Sequence, residues 1–154
     1  MSRVILMCGP AGSGKSAVAG RLAAEGMVRL SFDEVAWQMG LRIMPVEEGI
    51  QRQIAAALKA RLLDLVASGA DVVLDFSFWS RSMREDYRLL LTPLGVEPET
   101  IYLATTREVA LARVRARMAG HADDFQLSAA ELAAEYFDHF EVPTAEEGPL
   151  TVIT

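Results

Sequence analysis

The sequence predicts an α/β fold in which helices cover both faces of a parallel sheet. Short apolar runs rich in branched residues alternate with longer segments whose apolar residues recur every three or four positions. Glycines stand where several of these helical segments should end. The length of 154 residues fits one domain and no repeat or linker divides the chain, so we expect a single domain over residues 1–154.

The first half of the chain contains two predicted strands, each followed by a helical segment. The strands span residues 3–8 and 28–32, and the helices span about 15–24 and 46–67. Gly26 and Gly69 follow the two helices directly. Glycine is the residue that most readily adopts the left-handed backbone of a C-terminal cap, so both positions indicate helix ends.

The second half of the chain continues the alternation. Residues 71–76 are apolar on both faces in their middle, which is typical of a central parallel strand. Ser128 and Glu131 have the spacing of a capping box, which predicts a helix from there to about residue 140. The other predicted elements are strands over residues 99–105 and 150–153 and helices over 81–91 and 108–118.

Composition excludes several classes of protein. Hydrophobic residues make up 51% of the chain and charged residues 23%, which is typical of a globular protein rather than a disordered or collagen-like one. The single cysteine, Cys8, excludes a disulfide framework and a cysteine-based zinc site. We see no targeting segment and no apolar run long enough to span a membrane, and we therefore expect a cytoplasmic protein.

Residues 9–16 read GPAGSGKS, which matches the phosphate-binding pattern G-x-x-x-x-G-K-[ST] in full. In this pattern backbone N–H groups converge on the phosphates, and the helix that follows directs its positive end at them. We expect Lys15 to contact the β- and γ-phosphates of ATP and Ser16 to offer its hydroxyl to Mg²⁺. An incidental lysine in a glycine-rich turn is the alternative, but lysine occurs elsewhere only at Lys59. The predicted phosphate-binding residues are Gly9, Gly12, Ser13, Gly14, Lys15, Ser16 and Ala17.

Two carboxylates follow predicted strands, where ligands of open α/β sheets bind. Asp75 ends the apolar run of the third strand and is predicted to hold Mg²⁺ together with Ser16. Asp33 follows the second strand and is a candidate general base for an acceptor hydroxyl. Each aspartate has an alternative role as a helix cap.

These motifs resemble the small AAA-type P-loop kinases, the relatives of polynucleotide 5′-kinase, zeta toxins and chloramphenicol phosphotransferase. The resemblance rests on residues 9–16, on Phe32-Asp33-Glu34, on Val73-Leu74-Asp75 with Ser80-Arg81, and on the arginines of residues 113–117. It implies a P-loop NTPase fold with a five-stranded parallel sheet in the order 2-3-1-4-5. It also implies ATP as donor, Mg²⁺ as metal and a hydroxyl as acceptor. By position, Asp33 matches the family's catalytic aspartate, and Arg113 and Arg117 match its lid arginines.

Further candidate residues surround these carboxylates. Arg113 and Arg117 are four positions apart and share a helix face, so they could neutralise charge on the γ-phosphate or form a solvated basic face. Arg81 could contact the acceptor or a phosphate. Aromatic residues near the strand ends, including Trp37 and Trp79, could stack on a flat apolar acceptor, although aromatic residues at strand ends are more often core.

We expect an ATP-dependent kinase that transfers the γ-phosphoryl group to a hydroxyl of a small molecule. Two alternatives remain: a nucleotide or polynucleotide kinase, and an ATP-binding switch that has no acceptor. The net charge of −6 disfavours a nucleic-acid acceptor. Polynucleotide kinases often carry a second acid and an arginine soon after the base, whereas the residues after Asp33 here read Glu34-Val35-Ala36-Trp37, without an arginine. Five arginines could still form a local basic path: Arg29, Arg42, Arg81, Arg84 and Arg88. A pure switch has no need of a base such as Asp33.

Overall fold

The computed structural model describes residues 2–10, 13–41, 43–44, 47–76, 78–120, 126–127, 134 and 137–154. The strands are β1 (Val4–Cys8), β2 (Val28–Ser31), β3 (Ile43–Met44), β4 (Val72–Asp75), β5 (Glu99–Leu103), β6 (Gln126–Leu127) and β7 (Leu150–Ile153). The α-helices are α1 (Lys15–Ala24), α2 (Phe32–Gln38), α3 (Glu48–Ala67), α4 (Arg81–Leu91) and α5 (Arg107–Gly120), and short 3-10 turns cover Thr92–Leu94 and Ala145–Glu147.

Five strands form one parallel sheet in the order β2-β4-β1-β5-β7. The two short strands, β3 and β6, pair only with each other. Without them, the five long strands have the chain-order arrangement 2-3-1-4-5, which confirms the topology that the family resemblance implied. The register pairs Ser31 of β2 with Asp75 of β4, so both strands end at the same level of the sheet.

The core lies on both faces of β1 and β4, every residue of which is buried. Successive side chains of a strand point to opposite faces. Accordingly, Val4, Leu6 and Cys8 pack into one hydrophobic cluster, whereas Ile5 and Met7 pack into the other. Cys8 is fully buried in the first of these clusters.

The predicted elements that fall on the described residues are present, with differences at their ends. The second strand stops at Ser31, and the Ser31 side chain accepts a hydrogen bond of 3.2 Å from the backbone N–H of Glu34. Ser31 is therefore the N-cap of α2, and Asp33 lies in the first turn, so a capping role for Asp33 is wrong. The capping box proposed at Ser128 and Glu131 lies outside the described residues.

Helices α1 and α3 end next to the glycines that predicted their ends. Gly26 and Gly69 have φ values of +112° and +84°, the left-handed backbone expected after α1 and α3. Among the described helices, none is long and apolar enough to cross a membrane.

Candidate functional site

The phosphate loop joins β1 to α1 at the carboxyl end of the sheet. Gly14 is the N-cap of α1 and has a φ of +92°, a backbone conformation that side-chain-bearing residues rarely adopt. A Cβ atom at Gly9 would lie 2.5 Å from the Ser13 Oγ atom, so only glycine fits there. Ser13 is buried, and its carbonyl accepts a 3.0 Å hydrogen bond from the Thr105 hydroxyl. Ala11 and Gly12 lie outside the described residues.

Arg113 lies beside this loop. A Cβ atom at Gly14 would be 3.5 Å from the Arg113 Nη1 atom, which brings the guanidinium to the N-terminal end of α1. Arg113 is exposed on α5. The backbone of Arg117 follows one turn later on the same helix, and its side chain lies outside the described residues.

Ser16 and Asp75, which were predicted to hold one Mg²⁺ ion together, are in contact. The Ser16 hydroxyl donates to Asp75 Oδ2 over 3.2 Å, and the Asp75 side chain is only 2% exposed. Arg29 on β2 donates to the same Oδ2 from Nε at 2.9 Å and from Nη2 at 2.5 Å. The other oxygen, Oδ1, is buried and has no hydrogen-bond partner in the described part of the chain.

These groups fit a magnesium ion. Mg²⁺ prefers oxygen ligands and usually keeps several waters, so a hydroxyl and one carboxylate are enough beside a nucleotide. The buried Oδ1 of Asp75 lacks a donor, and a metal-bound water would supply one. Ser16 and Asp75 are therefore the residues of this chain that would hold the ion.

Arg29 is a site residue that the sequence analysis considered only for a basic path. Besides Asp75, its guanidinium approaches Glu34 at 3.7 Å from Nη1 to Oε2. It thus connects the end of β4 to the first turn of α2, which carries the candidate base Asp33. Arg29 lies on β2, two residues before Ser31, and β2 pairs with β4, the strand that ends at Asp75. The sequence alone does not show that these two strands are neighbours.

A cavity of about 260 Å³ opens beside α2, between α3, β4 and α4. Of the four predicted acceptor residues, Trp79 lines it, with half of its side chain exposed. Asp33 and Trp37 lie four positions apart on α2, and Arg81 is exposed at the start of α4; none of these three lines the cavity. The lining residues are Phe32, Gln51, Arg52, Ala55, Leu58, Phe76, Trp79, Met83 and Tyr87.

A buried ion pair supports the wall that carries Trp79. Arg84 is fully buried; its Nε donates to Glu147 Oε1 over 2.8 Å and its Nη1 to the Phe78 carbonyl over 2.7 Å. Phe78 has a φ of +47°, a rare conformation for an aromatic residue. Arg84, Tyr87 and Leu91 are spaced so that they share one face of α4, and all three are buried. The sequence spacing could therefore have predicted that Arg84 is buried.

The charges of this network change the acidity of its members. Burial by itself would raise the pKa of Glu147, but hydrogen bonds from Arg84 and from the Thr144 backbone outweigh it and lower the pKa to about 2. Burial raises the pKa of the Cys8 thiol to about 11, although Arg84 lies nearby. Cys8 is thus a protonated packing residue at neutral pH.

The family model described as "AAA domain" matches residues 4–143 of the chain. With the phosphate loop, the Ser16–Asp75 pair and the strand order in place, this match decides the assignment. The chain belongs to the small AAA-type P-loop kinases. No curated protein sequence matches it significantly.

Several solved structures share the fold of this chain. A putative kinase from Chloroflexus aurantiacus is 19% identical with a TM-score of 0.79, over 99% of this chain and 87% of that one. A gluconokinase from Sinorhizobium meliloti is 23% identical with a TM-score of 0.68, over 98% and 81%. Kti12 from Chaetomium thermophilum, solved in complex with ADP-AlF3, is 17% identical with a TM-score of 0.75, over 97% and 88%. At these identities the likeness is one of fold.

Proposed function

We propose that this protein transfers the γ-phosphoryl group of ATP to a hydroxyl of a small molecule in a Mg²⁺-dependent reaction. One observation carries the proposal: the phosphate loop, the Ser16–Asp75 pair and the exposed carboxylate of Asp33 lie at one edge of the sheet, beside a cavity of about 260 Å³. A phosphate donor and an acceptor would meet at that edge.

The phosphate loop holds the donor. Backbone N–H groups of the loop and the N-terminus of α1 bind the phosphate oxygens, and Lys15 adds a point charge. Arg113, whose Nη1 atom lies next to Gly14, neutralises charge that develops on the transferred group. A bound Mg²⁺ would supply positive charge against the phosphates; Ser16 would hold it through its hydroxyl and Asp75 through a metal-bound water at Oδ1.

Asp33 acts on the acceptor. Its carboxylate accepts the proton of the acceptor hydroxyl while that oxygen forms a bond to the γ-phosphorus. The bond between the γ-phosphorus and the bridging oxygen breaks, and ADP leaves with that oxygen. The exposed position of Asp33 on the first turn of α2 gives it access to a bound acceptor.

The test is a screen of hydroxyl metabolites, hydroxyl-bearing antibiotics and a 5′-hydroxyl oligonucleotide for ATP-dependent phosphorylation. A kinase shows near-background ATP turnover alone and label transfer to at least one small hydroxyl compound. Label on the oligonucleotide would favour the polynucleotide kinase instead. Nucleotide binding with no transfer to any compound would favour the switch.

A further inference from the structure

The composition of the acceptor cavity indicates the class of acceptor. Its inner wall consists of buried apolar side chains, among them Leu58, Phe76 and Tyr87, each at most 5% exposed. The rings of Phe76 and Tyr87 are in edge contact, with centroids 5.9 Å apart. Trp79, half exposed, offers a free aromatic surface at the same cavity.

Such a wall disfavours a sugar or polyol. Each hydroxyl buried without a hydrogen-bond partner costs roughly 1–3 kcal/mol. Among the described lining residues, Gln51 and Arg52 on α3 carry an amide and a guanidinium, Tyr87 and Trp79 add one O–H and one N–H group, and none carries a carboxylate. A polyol bound there would leave most of its hydroxyls facing carbon atoms.

Arg52 gives the cavity one positive charge. It is exposed on α3, and within the described part of the chain it forms no ion pair. A guanidinium at the edge of an apolar cavity is suited to a ligand carboxylate, which it can bind in a bidentate manner. The Lys59 Nζ atom lies over the Tyr87 ring, 5.4 Å from the ring centroid.

The volume limits the size of the ligand. An apolar cavity of roughly 150 Å³ accommodates one benzene molecule. The cavity of about 260 Å³ therefore admits a single ring with a few further atoms.

We propose that the acceptor is a small alcohol with one apolar, flat ring and one carboxylate, the ring lying against Trp79 and Phe76 and the carboxylate pairing with Arg52. This inference rests on the proposed function, because it assumes that the cavity receives the acceptor. Arg52 and Trp79 are then the residues that determine specificity.

Three matched probes test the proposal: para-(hydroxymethyl)benzoate, its neutral amide para-(hydroxymethyl)benzamide, and gluconate. Binding is measured by calorimetry in the presence of Mg²⁺ and a non-hydrolysable ATP analogue, and transfer is measured with labelled ATP. We expect the benzoate to bind about fivefold more tightly than the amide, because one partly exposed ion pair contributes about that much to affinity. Gluconate should bind most weakly of the three.

Variants separate the two contributions. Arg52→Gln should remove the preference for the benzoate over the amide, whereas Trp79→Ala should weaken both ring compounds. Arg61→Gln, an exposed arginine on the same helix, is the matched control and should change neither. Circular dichroism checks that each variant is folded.

The outcomes distinguish this inference from the proposed function. The expected binding order, with no phosphoryl transfer to the probes or to any compound of the screen, would overturn the kinase function and support the cavity assignment. Transfer to gluconate in preference to the ring compounds would overturn the cavity assignment and support the kinase function. Equal binding of the benzoate and the amide, or no binding of either, would also overturn the cavity assignment.

Discussion

At the scale of single residues, the Asp75 carboxylate connects the phosphate loop to the second strand. One of its oxygens accepts from Ser16 and Arg29, and the other is buried without a partner among the described residues. A buried carboxylate needs compensation of its charge, and here Arg29 supplies it. The geometry therefore makes Arg29 the residue that fixes the orientation of the Asp75 carboxylate.

Replacing Arg29 tests this pairing. Arg29→Met leaves a buried carboxylate without its counter-charge, which should destabilise the fold by about 2 kcal/mol, less than for a fully buried pair because Arg29 is 32% exposed. Adding Mg²⁺ without nucleotide should raise the melting temperature of the variant more than that of the wild type. The measurement is thermal unfolding with and without Mg²⁺.

The double variant Arg29→Met/Asp75→Asn is the control, since it has no carboxylate to compensate. It should recover part of the lost stability and lose the response to Mg²⁺. An identical Mg²⁺ response in Arg29→Met and the wild type would contradict the role given to Arg29.

Substitutions of Asp33 and of Asp75 should have different kinetic effects. Asp33→Asn should cut phosphoryl transfer while Mg·ATP affinity stays nearly unchanged, because a base acts on the acceptor. Asp75→Asn should instead raise the Mg²⁺ concentration required for turnover. Transfer rates across a Mg²⁺ titration, with nucleotide binding measured in parallel, check both. Weakened Mg·ATP binding in Asp33→Asn would mean that the two roles are reversed.

Lys15 provides a test of the phosphate loop. Lys15→Ala removes a charge that acts on the phosphates, and turnover should fall on the order of 10²-fold or more. The fold should survive, because Lys15 lies at the surface end of α1. Arg21→Ala, at the exposed far end of the same helix, is the matched control. Wild-type turnover in Lys15→Ala would refute the assignment of the loop.

At the scale of elements, the Arg84–Glu147 pair joins α4 to the 3-10 turn before β7. The backbone N–H of Glu141 donates to the Trp79 carbonyl over 2.8 Å, and Arg88 donates to Thr100 over 3.0 Å. These contacts tie the segment that carries Trp79 to the C-terminal part of the sheet. The position of Trp79 in the cavity wall thus depends on contacts between residues that are distant in sequence.

The low pKa of Glu147 predicts an acid-dependent stability. Its pKa falls from 4.5 to about 2 on folding, so its ionised form is stabilised in the folded state. The contribution, about 3 kcal/mol, is fully present above the unfolded pKa and is lost as pH falls toward the folded pKa. Urea unfolding from neutral pH down to about pH 2 measures it.

Glu147→Gln is the comparison for this measurement. The variant should be less stable than the wild type at neutral pH, because Arg84 loses its counter-charge in a buried position. The difference should shrink as pH falls from about 4.5 to about 2. A difference that is independent of pH over this interval would show that the charge of Glu147 does not contribute.

At the scale of the whole molecule, the net charge of −6 acts against polyanionic acceptors. The arginines that could form a basic path are mostly engaged elsewhere: Arg29 pairs with Asp75, and Arg84 and Arg88 pair with Glu147. Arg81 is exposed, and Arg42 lies outside the described residues. A continuous basic path to Asp33 therefore has little support.

A 5′-hydroxyl oligonucleotide should bind weakly at physiological ionic strength. We expect a Kd no tighter than the roughly 10⁻⁴–10⁻⁶ M of non-specific complexes. A titration at two salt concentrations, paired with a labelled-ATP transfer assay, measures it. Submicromolar binding with a steep salt dependence and label on the oligonucleotide would instead identify a polynucleotide kinase.

Local patterns were enough to predict the five strands of the main sheet, the ends of two helices and the phosphate-binding motif. Gly26 and Gly69 end helices because a left-handed cap is a local requirement, and Gly14 precedes α1 because its positive φ is a local requirement as well. The pairing of Ser16 with Asp75 was predictable as well, since parallel strands bring their carboxyl ends to one edge.

Contacts between distant elements needed the tertiary structure. The partners of Arg29 and Arg84 lie 46 and 63 positions away, and nothing in their local sequence identifies Asp75 or Glu147 as partners. The walls of the proposed acceptor cavity come from α2, α3, the segment after β4 and α4. The sequence by itself determined the proposed phosphate site, because its chemistry is contained in one loop. Only the packing of helices on the sheet decided which side chains line the cavity.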